Sequence, residues 1–498
     1  MDTEKAQTSS GGERPPSPET YSVFTRAEKR CITAMVAYSA AFSTLSSFIY
    51  FPALTQLAES LSVSIDAINL TITSYMAVAT VAPTLLGDAA DILGRRPACV
   101  FSLSLYVVTN LAMALSKSYV ALLVLRLFQA FAISGIFAVA YGVVTDIATP
   151  AERGSYVAAV SFASTIAPSL GPVLGGGLAH AAGWPWIFWF LCISASLSLV
   201  LILLFLPETS RNIVGNGSAR PPRHLRLPPI GRHLIRHWKD HADDDSSSSN
   251  SQPSSRTMPN PLRSLRILAR RDNAVVMLAC GLLYAVYTCV CASLSVLFVD
   301  LYALDQLQAG LVYLPFGLGG TASTAICGPL LNRAYRRVRD GCVAGGREAE
   351  VALDRHVADD LDVFPVERAR LGVVWLPMAV ATVSVVAFGW TVHLHMHIAI
   401  PLCLQFILGL AMQLSFSIYN TLLVDKNHRT PAAAQASSNI VRCALAAIVV
   451  AFLQNIIVAL GVGWTFTLMG GWCVLIMALF FLDYHKGMAW RTASKRLF

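Results

Sequence analysis

The chain has 498 residues, of which 55% are hydrophobic and 13% charged, with a formal net charge of +8. Soluble globular chains carry about 25% charged residues, so a soluble globular fold is excluded. The basic excess is divided among short segments between apolar runs, which argues against a nucleic-acid partner.

Residues 1–30 are polar, contain Pro15, Pro16 and Pro18, and read as a disordered tail rather than a cleavable signal. Beyond them, nearly charge-free runs recur. A helix rising 1.5 Å per residue needs about 20 apolar residues to cross a bilayer core. This predicts twelve spans at 31–53, 67–87, 98–116, 119–142, 155–181, 185–206, 274–298, 309–330, 371–392, 396–424, 434–459 and 462–483. The fold class is therefore an all-α polytopic membrane protein. Its expected organisation is a six-helix half at 31–206, a linker at 207–273, a second half at 274–483 with a long loop at 331–370, and a tail at 484–498.

All but three of the 37 Lys and Arg fall in the tails and the even-to-odd loops; the exceptions are Lys117, Arg126 and Arg442. The positive-inside tendency places both termini, the linker and loop 331–370 in the cytoplasm. The linker carries a basic segment, His224 to Lys239, then Asp243–Asp245 and the serine run Ser246–Ser249. Such a composition makes a flexible tether, whose basic part is either a surface-lying helix or a solvated linker.

Between spans 2 and 3, Gly87, Asp91, Gly94, Arg95, Arg96 and Pro97 form a tight cytoplasmic turn. Gly87 permits close helix approach, Gly94 supplies left-handed backbone, and Asp91 is placed to lock one conformer by pairing with an arginine or a helix N-terminus. Gly328, Asn332, Tyr335, Arg336 and Arg337 stand at the same intervals after the second span of the other half. A duplicated six-helix unit of this kind resembles the major facilitator superfamily, most closely its twelve-span drug:proton antiporters and their fungal multidrug-resistance branch. Matching stretches run along the chain: Arg126 to Ala130 in span 4; Gly171, Pro172, Gly175 and Gly176 in span 5; Leu206 to Thr209 and Ile213 to Ser218 after span 6; Asn420 to Asp425 in span 10; and Asn439, Arg442 and Cys443 in span 11. The chain departs from the pattern at Ile92, Ala167 and Asn332.

Gly171, Pro172, Gly175, Gly176 and Gly177 read as a flexible, closely packed helix able to rock on a partner. Arg126 and Arg442 lie within spans, where a charge costs upward of about 2.5 kcal/mol and normally faces a partner or a pathway. Arg126 otherwise snorkels; Arg442 otherwise pairs with Asp425 or helix carbonyls. Ser43, Ser47 and Tyr50 share one face of span 1, as Tyr284 and Thr288 share one of span 7. Gln129, Asp146, Gln413, Asn420, Asp425 and Asn439 complete the candidates for a substrate or proton pathway. His393, His395 and His397 do not converge on a metal. The eleven cysteines are scattered and contain no CxxC. No GxxxxGK[ST] motif for nucleotide binding is present.

The resemblance implies a secondary transporter with no cofactor, not an enzyme: a multi-pass antiporter of the plasma membrane whose partners are protons and a small organic drug, toxin or secondary metabolite. The charge inside the spans points to neutral or anionic cargo and the organisation to a monomer. A uniporter, an importer of an organic acid or nutrient, and a non-transporting receptor are the alternatives. The topology has a direct check. A Ser248→Cys protein should resist an impermeant thiol reagent added outside intact cells and react once the cells are opened; labelling from outside would invert the orientation.

Overall fold

The computed structural model describes residues 22–149, 152–217, 267–344, 365–427 and 431–497. The segment His224 to Lys239, the serine run, residues 1–21 and the centre of loop 331–370 lie outside these residues. Sixteen α-helices with both ends among the described residues form, and no strand is found among those residues. In the first half they are α1 (Arg26–Phe48), α2 (Leu54–Leu61), α3 (Ile65–Leu93), α4 (Arg95–Leu115), α5 (Tyr119–Ile147), α6 (Arg153–Ala182) and α7 (Pro185–Phe205), followed by the short α8 (Arg211–Val214). The second half has α9 (Arg271–Tyr302), α10 (Gln306–Leu311), α11 (Leu314–Ala344), α12 (Val366–Leu371), α13 (Trp375–His393), α14 (Ala399–Lys426), α15 (Pro431–Leu460) and α16 (Val462–Leu497).

Eleven helices among the described residues are long and apolar enough to cross a membrane. The 30-residue α6 completes the set of twelve long helices. Their apolar residues point outward as well as inward: Leu376 is 74% exposed and Val458 77%, which in water would be costly and in lipid is not. Local chemistry starts and stops the helices. Thr25 and Glu28 form a reciprocal cap on α1, and Asp305 with Gln308 does the same for α10. Ser64 caps α3, while Gly183 and Gly461 turn the chain with φ of 88° and 77°.

Both halves use one packing scheme. In the first, α1 lies against α6, α3 against α5 and α4 against α7; in the second, α9 lies against α15, α11 against α14 and α13 against α16. Each pairing joins first with fifth, second with fourth and third with sixth, as duplication requires. Across the halves α3 packs on α15, and α6 packs on α10 and α11, so each half offers its second and fifth helices to the other.

Helices outrun the spans expected from hydropathy. The turn expected at 88–97 reduces to Gly94 alone, because α3 continues to Leu93 and α4 begins at Arg95. Pro97 is tolerated since it sits in the first turn of α4, where no intrahelical donor is needed. Similarly α11 continues to Ala344 and α16 to Leu497. Hydropathy marks only the part that lipid covers, whereas the backbone ladder continues into water.

With an even number of long helices, the start of α1 and the end of α16 lie at one face, here called the terminal face, opposite a far face. Near the far face the halves approach backbone to backbone. A Cβ added at Gly176 would collide with the Gln306 carbonyl and lie 3.0 Å from the Gly310 Cα. One added at Gly310 would meet the Pro172 carbonyl, and one at Gly317 would meet Ser169. Within the first half, Gly175 faces the Ile49 carbonyl just as closely. Gly177 differs, since its nearest neighbour would be the Leu307 Cδ1 at 3.7 Å. Two adjacent glycines should thus behave oppositely. Gly176→Ala should destabilise the purified protein by about 1–3 kcal/mol through overpacking, whereas Gly177→Ala should be neutral or gain about 0.5–1 kcal/mol of helix propensity. Thermal unfolding in detergent reads both, and equal shifts would refute the close approach at Gly176.

Candidate functional site

At the terminal face of the first half, chain reversal at Gly94 has φ 111° and ψ 155°, a glycine region distinct from the left-handed helical conformation expected for the turn. A side chain there would strike the Glu208 carboxylate. Glu208, 1% exposed, accepts hydrogen bonds from the backbone N–H groups of Arg95 (2.9 Å), Arg96 (3.2 Å), Thr209 (3.0 Å) and Ser210 (2.9 Å). An anion thus sits on the N-terminus of α4, where the dipole and unpaired donors favour it. The Arg95 side chain crosses Gly142 and donates from Nε to Asp146 Oδ2 at 3.0 Å. Arg96 donates to the Leu203 carbonyl at 2.8 Å, and Arg211 reaches the Asp146 carbonyl at 3.1 Å. Asp91 occupies the last turn of α3, and its side chain lies outside the described residues. Gly87 makes only ordinary contact, with a Cβ there 3.8 Å from the Ala138 Cβ.

The second half builds its clasp from other residues. Asp425, at the end of α14 as Asp146 is at the end of α5, pairs at 2.8 Å with Arg370. The Arg370 guanidinium also lies 5.3 Å over the Tyr335 ring. Arg336 and Arg337, which the sequence repeat aligns with Arg95 and Arg96, are exposed. The side chain of Asn332 lies outside the described residues. Deeper in, Lys426 donates to both Asp483 oxygens at 2.7 and 2.9 Å. Glu367 lies 3.9 Å from Lys426 and 3.5 Å from Arg491. Asn273 and Asn427 exchange two hydrogen bonds of 3.0 and 2.9 Å. This fixes the start of α9 and the ends of α14 and α16 to one another.

Between these ends and the far face lie the two intramembrane arginines. Arg126 is 1% exposed and does not snorkel. Its guanidinium carbon lies 4.5 Å from the Tyr50 ring centroid and 4.8 Å from that of Tyr75. Nη1 donates to Gln129 Oε1 at 2.6 Å and to the Ser46 carbonyl at 3.3 Å. The chain continues from Gln129 Nε2 to Asn110 Oδ1 at 2.8 Å, and from Asn110 to the Tyr106 carbonyl at 2.7 Å. The Tyr50 hydroxyl is engaged by Thr71 at 2.9 Å, so the ring is held under the cation.

Arg442 lies 4.7 Å over the Tyr284 ring and donates from Nη2 to Asn439 Oδ1 at 3.0 Å. It therefore does not pair with Asp425. Asn439 Nδ2 in turn donates to the Ala79 carbonyl of α3 at 3.0 Å, across the halves. Tyr284 stacks on Tyr287 at 5.9 Å, and Phe416 meets both rings edge-on. Tyr287 also meets Phe48 of α1 at 5.8 Å, closing an aromatic bridge between the halves. Among the described residues neither arginine has a carboxylate partner.

The remaining candidates divide. Thr288 spends its hydroxyl on the Tyr284 carbonyl at 2.8 Å, and Ser47 on the Ser43 carbonyl at 3.4 Å. Gln413 and Asn420 are half-buried on α14, Gln413 facing Gly320 of α11. His397 accepts the Ala399 N–H at 3.3 Å just ahead of α14, while His393 packs on Trp390. Sequence reasoning missed Tyr75, Asn110, Gly142 and Arg370, and gave Glu208 no role. The signal for Glu208 was its place in the Leu206 to Thr209 stretch after span 6; for the others there was none without contacts.

A family model for the Major Facilitator Superfamily matches residues 36–451. The MFS-type transporter phiD of a fungal species is 34% identical over 475 residues, 95% of this chain and 70% of that protein. The MFS-type transporter tstD of Talaromyces stipitatus is 34% identical over 96% of this chain and 85% of its own length. Citrate exporter 1 of Aspergillus niger is 33% identical over 97% of this chain and 90% of its own. Among solved structures, the Escherichia coli xylose transporter XylE in a partially occluded inward-open conformation superposes with a TM-score of 0.61 at 13% identity, covering 92% of this chain and 98% of that one. With twelve long helices in two like-packed halves and relatives over nearly its whole length, the chain belongs to the Major Facilitator Superfamily, a multi-pass membrane transporter and not an enzyme.

Proposed function

We propose that this protein exports a small organic molecule across the plasma membrane by alternating access in exchange for protons, with both termini cytoplasmic, and that its cargo is neutral or anionic. The observation that carries the reading is the pair of intramembrane arginines solvated by tyrosine faces and amide oxygens instead of carboxylates. Such cations favour an anion or a strong acceptor, whereas an organic cation needs a buried carboxylate or an aromatic cage free of its own cation. The relative named as a citrate exporter supports an organic acid. Proton exchange is assigned to Asp91, Asp146 and Asp425 at the terminal face, and the glycine-rich contact of α6 with α10 and α11 to gating. The same absence of mid-span acids in the sequence favours an uncoupled exporter as the second reading.

Flux measured in inverted plasma-membrane vesicles with a size-matched acid, amide and amine separates these readings. Competition should be strongest for the acid or the amide, and Arg442→Gln, at the less enclosed of the two arginines, should weaken the acid by about tenfold, roughly 1.4 kcal/mol. Preferential competition by the amine would overturn the cargo assignment, and flux indifferent to collapse of the proton gradient would replace exchange with uniport.

Asp91→Asn should reduce surface-normalised flux at least several-fold while leaving folded protein in the membrane. Unchanged flux would leave the turn a topological signal only.

A further inference from the structure

Pro83 lies inside α3 and has no N–H to give. The carbonyl it would have engaged, four residues earlier, belongs to Ala79. In a membrane interior an orphaned carbonyl needs another donor. That donor comes from the opposite half: Asn439 Nδ2 of α15, at 3.0 Å. The amide orientation follows from chemistry, because a backbone carbonyl only accepts and a guanidinium only donates. Asn439 must present nitrogen to Ala79 and oxygen to Arg442 Nη2, at 3.0 Å. One amide therefore joins a proline-vacated carbonyl in the first half to a cation in the second.

The cation at the end of this chain is incompletely satisfied. Arg442 Nε, like Arg126 Nε, is buried and has no hydrogen-bond partner, so what separates the two cations is their number of partners and their access. Its charge is met by the Tyr284 face and by a neutral amide oxygen, both weaker partners than a carboxylate. Tyr284 and Arg442 are themselves only half-buried, in contrast to the enclosed Arg126. Beside them stand Tyr287 and Phe416, which suit an unsaturated or aromatic body.

We propose that Arg442, seated on Tyr284, is the binding point for a carboxylate of the cargo, and that occupation there takes the guanidinium from Asn439 and loosens the tie of α15 to Ala79 of α3. The proposal rests on the anionic-cargo reading and adds to it a residue and a consequence. A carboxylate makes two charge-assisted bonds with the guanidinium where the amide makes one. Asn439 Oδ1 is then left with only the weak Cys443 thiol donor at 3.6 Å, the charged bond that chiefly fixes the amide is gone, and its hold on Ala79 weakens. Ligand binding and separation of the halves become linked, because the free amide serves one state and the displaced amide the other.

The purified full-length chain tests this with 2-naphthoate, its neutral analogue 2-naphthamide and the cation 2-naphthylmethylammonium as probes. Two readouts are needed: binding by calorimetry, and distance between spin labels at positions 92 and 435, with exposed Cys31 and Cys403 replaced by serine. In the otherwise unchanged protein naphthoate should bind and shift the distance distribution. Arg442→Gln should weaken naphthoate at least about tenfold, leave naphthamide unchanged and abolish the shift. Pro83→Ala restores an N–H in α3 and withdraws the acceptor without touching Arg442. It should show the shifted distribution before ligand is added, and naphthoate should bind undiminished. Asn439→Ala should do the same and bind naphthoate more tightly, its competitor being gone.

Naphthoate binding that is insensitive to Arg442→Gln would overturn the anchor. Unshifted distances in both Pro83→Ala and Asn439→Ala would overturn the tie. A starting protein that prefers the ammonium probe, or binds none of the three, would overturn the anionic-cargo reading itself, an outcome distinct from the other two.

Discussion

A guanidinium among apolar helices has to be solvated by the protein, and this demand organises the centre of the molecule. Arg126 is enclosed by two tyrosine rings, a glutamine and a main-chain carbonyl. Each of these partners is in turn fixed: Tyr50 by Thr71, Gln129 by Asn110. The result draws α1, α3, α4 and α5 around one cation. A mobile polar group would solvate the charge poorly, so the network gains rigidity from the same bonds that make burial tolerable. Arg442 has the same type of partner in the second half, but fewer of them and more access. The first arginine therefore reads as a keystone of its half and the second as a site with spare capacity.

The terminal-face clasps answer a different requirement. There the helices end, and unpaired N–H groups must be met. Glu208 meets four of them from two segments of chain and so ties the start of α4 to the exit of α7. In the second half, the function of closing the end passes to buried ion pairs around Lys426, Asp483 and Glu367. A buried pair adds little net stability compared with apolar packing, yet breaking one leaves a stranded charge. Its value here is geometric, since it admits only one relation of α9, α12, α14 and α16.

Much of the fold was legible in the sequence because a bilayer makes hydropathy nearly sufficient. Twelve long helices and their duplication follow from apolar runs and from the repeat of Gly87, Asp91 and Arg95 in Gly328, Asn332 and Arg336. Helix ends were not legible, because polar extensions such as 331–344 remain helical without lipid. The site was legible as residue types, not as partners. Arg126, Gln129, Asn439 and Arg442 stand out as polar groups in apolar runs. That Asp425 meets Arg370 rather than Arg442 or Arg336 depends on a short helix entering from a polar loop, α12, which periodicity cannot place.

The duplication is also where the two halves part, and the departure has a physical meaning. Aligned on Gly87 and Gly328, Pro83 corresponds to Thr324, which keeps its N–H and bonds its hydroxyl to the Thr321 carbonyl at 2.6 Å. The orphaned carbonyl thus exists in α3 and has no counterpart at that position in α11. The contact of α6 with α10 and α11 is made instead by glycines, which bring backbones together without a directional bond. One inter-half contact is therefore a smooth surface on which helices can rock, and the other is pinned by a single amide whose second partner is a cation. An asymmetric arrangement of this kind lets one point report occupancy while the opposite point serves as the pivot.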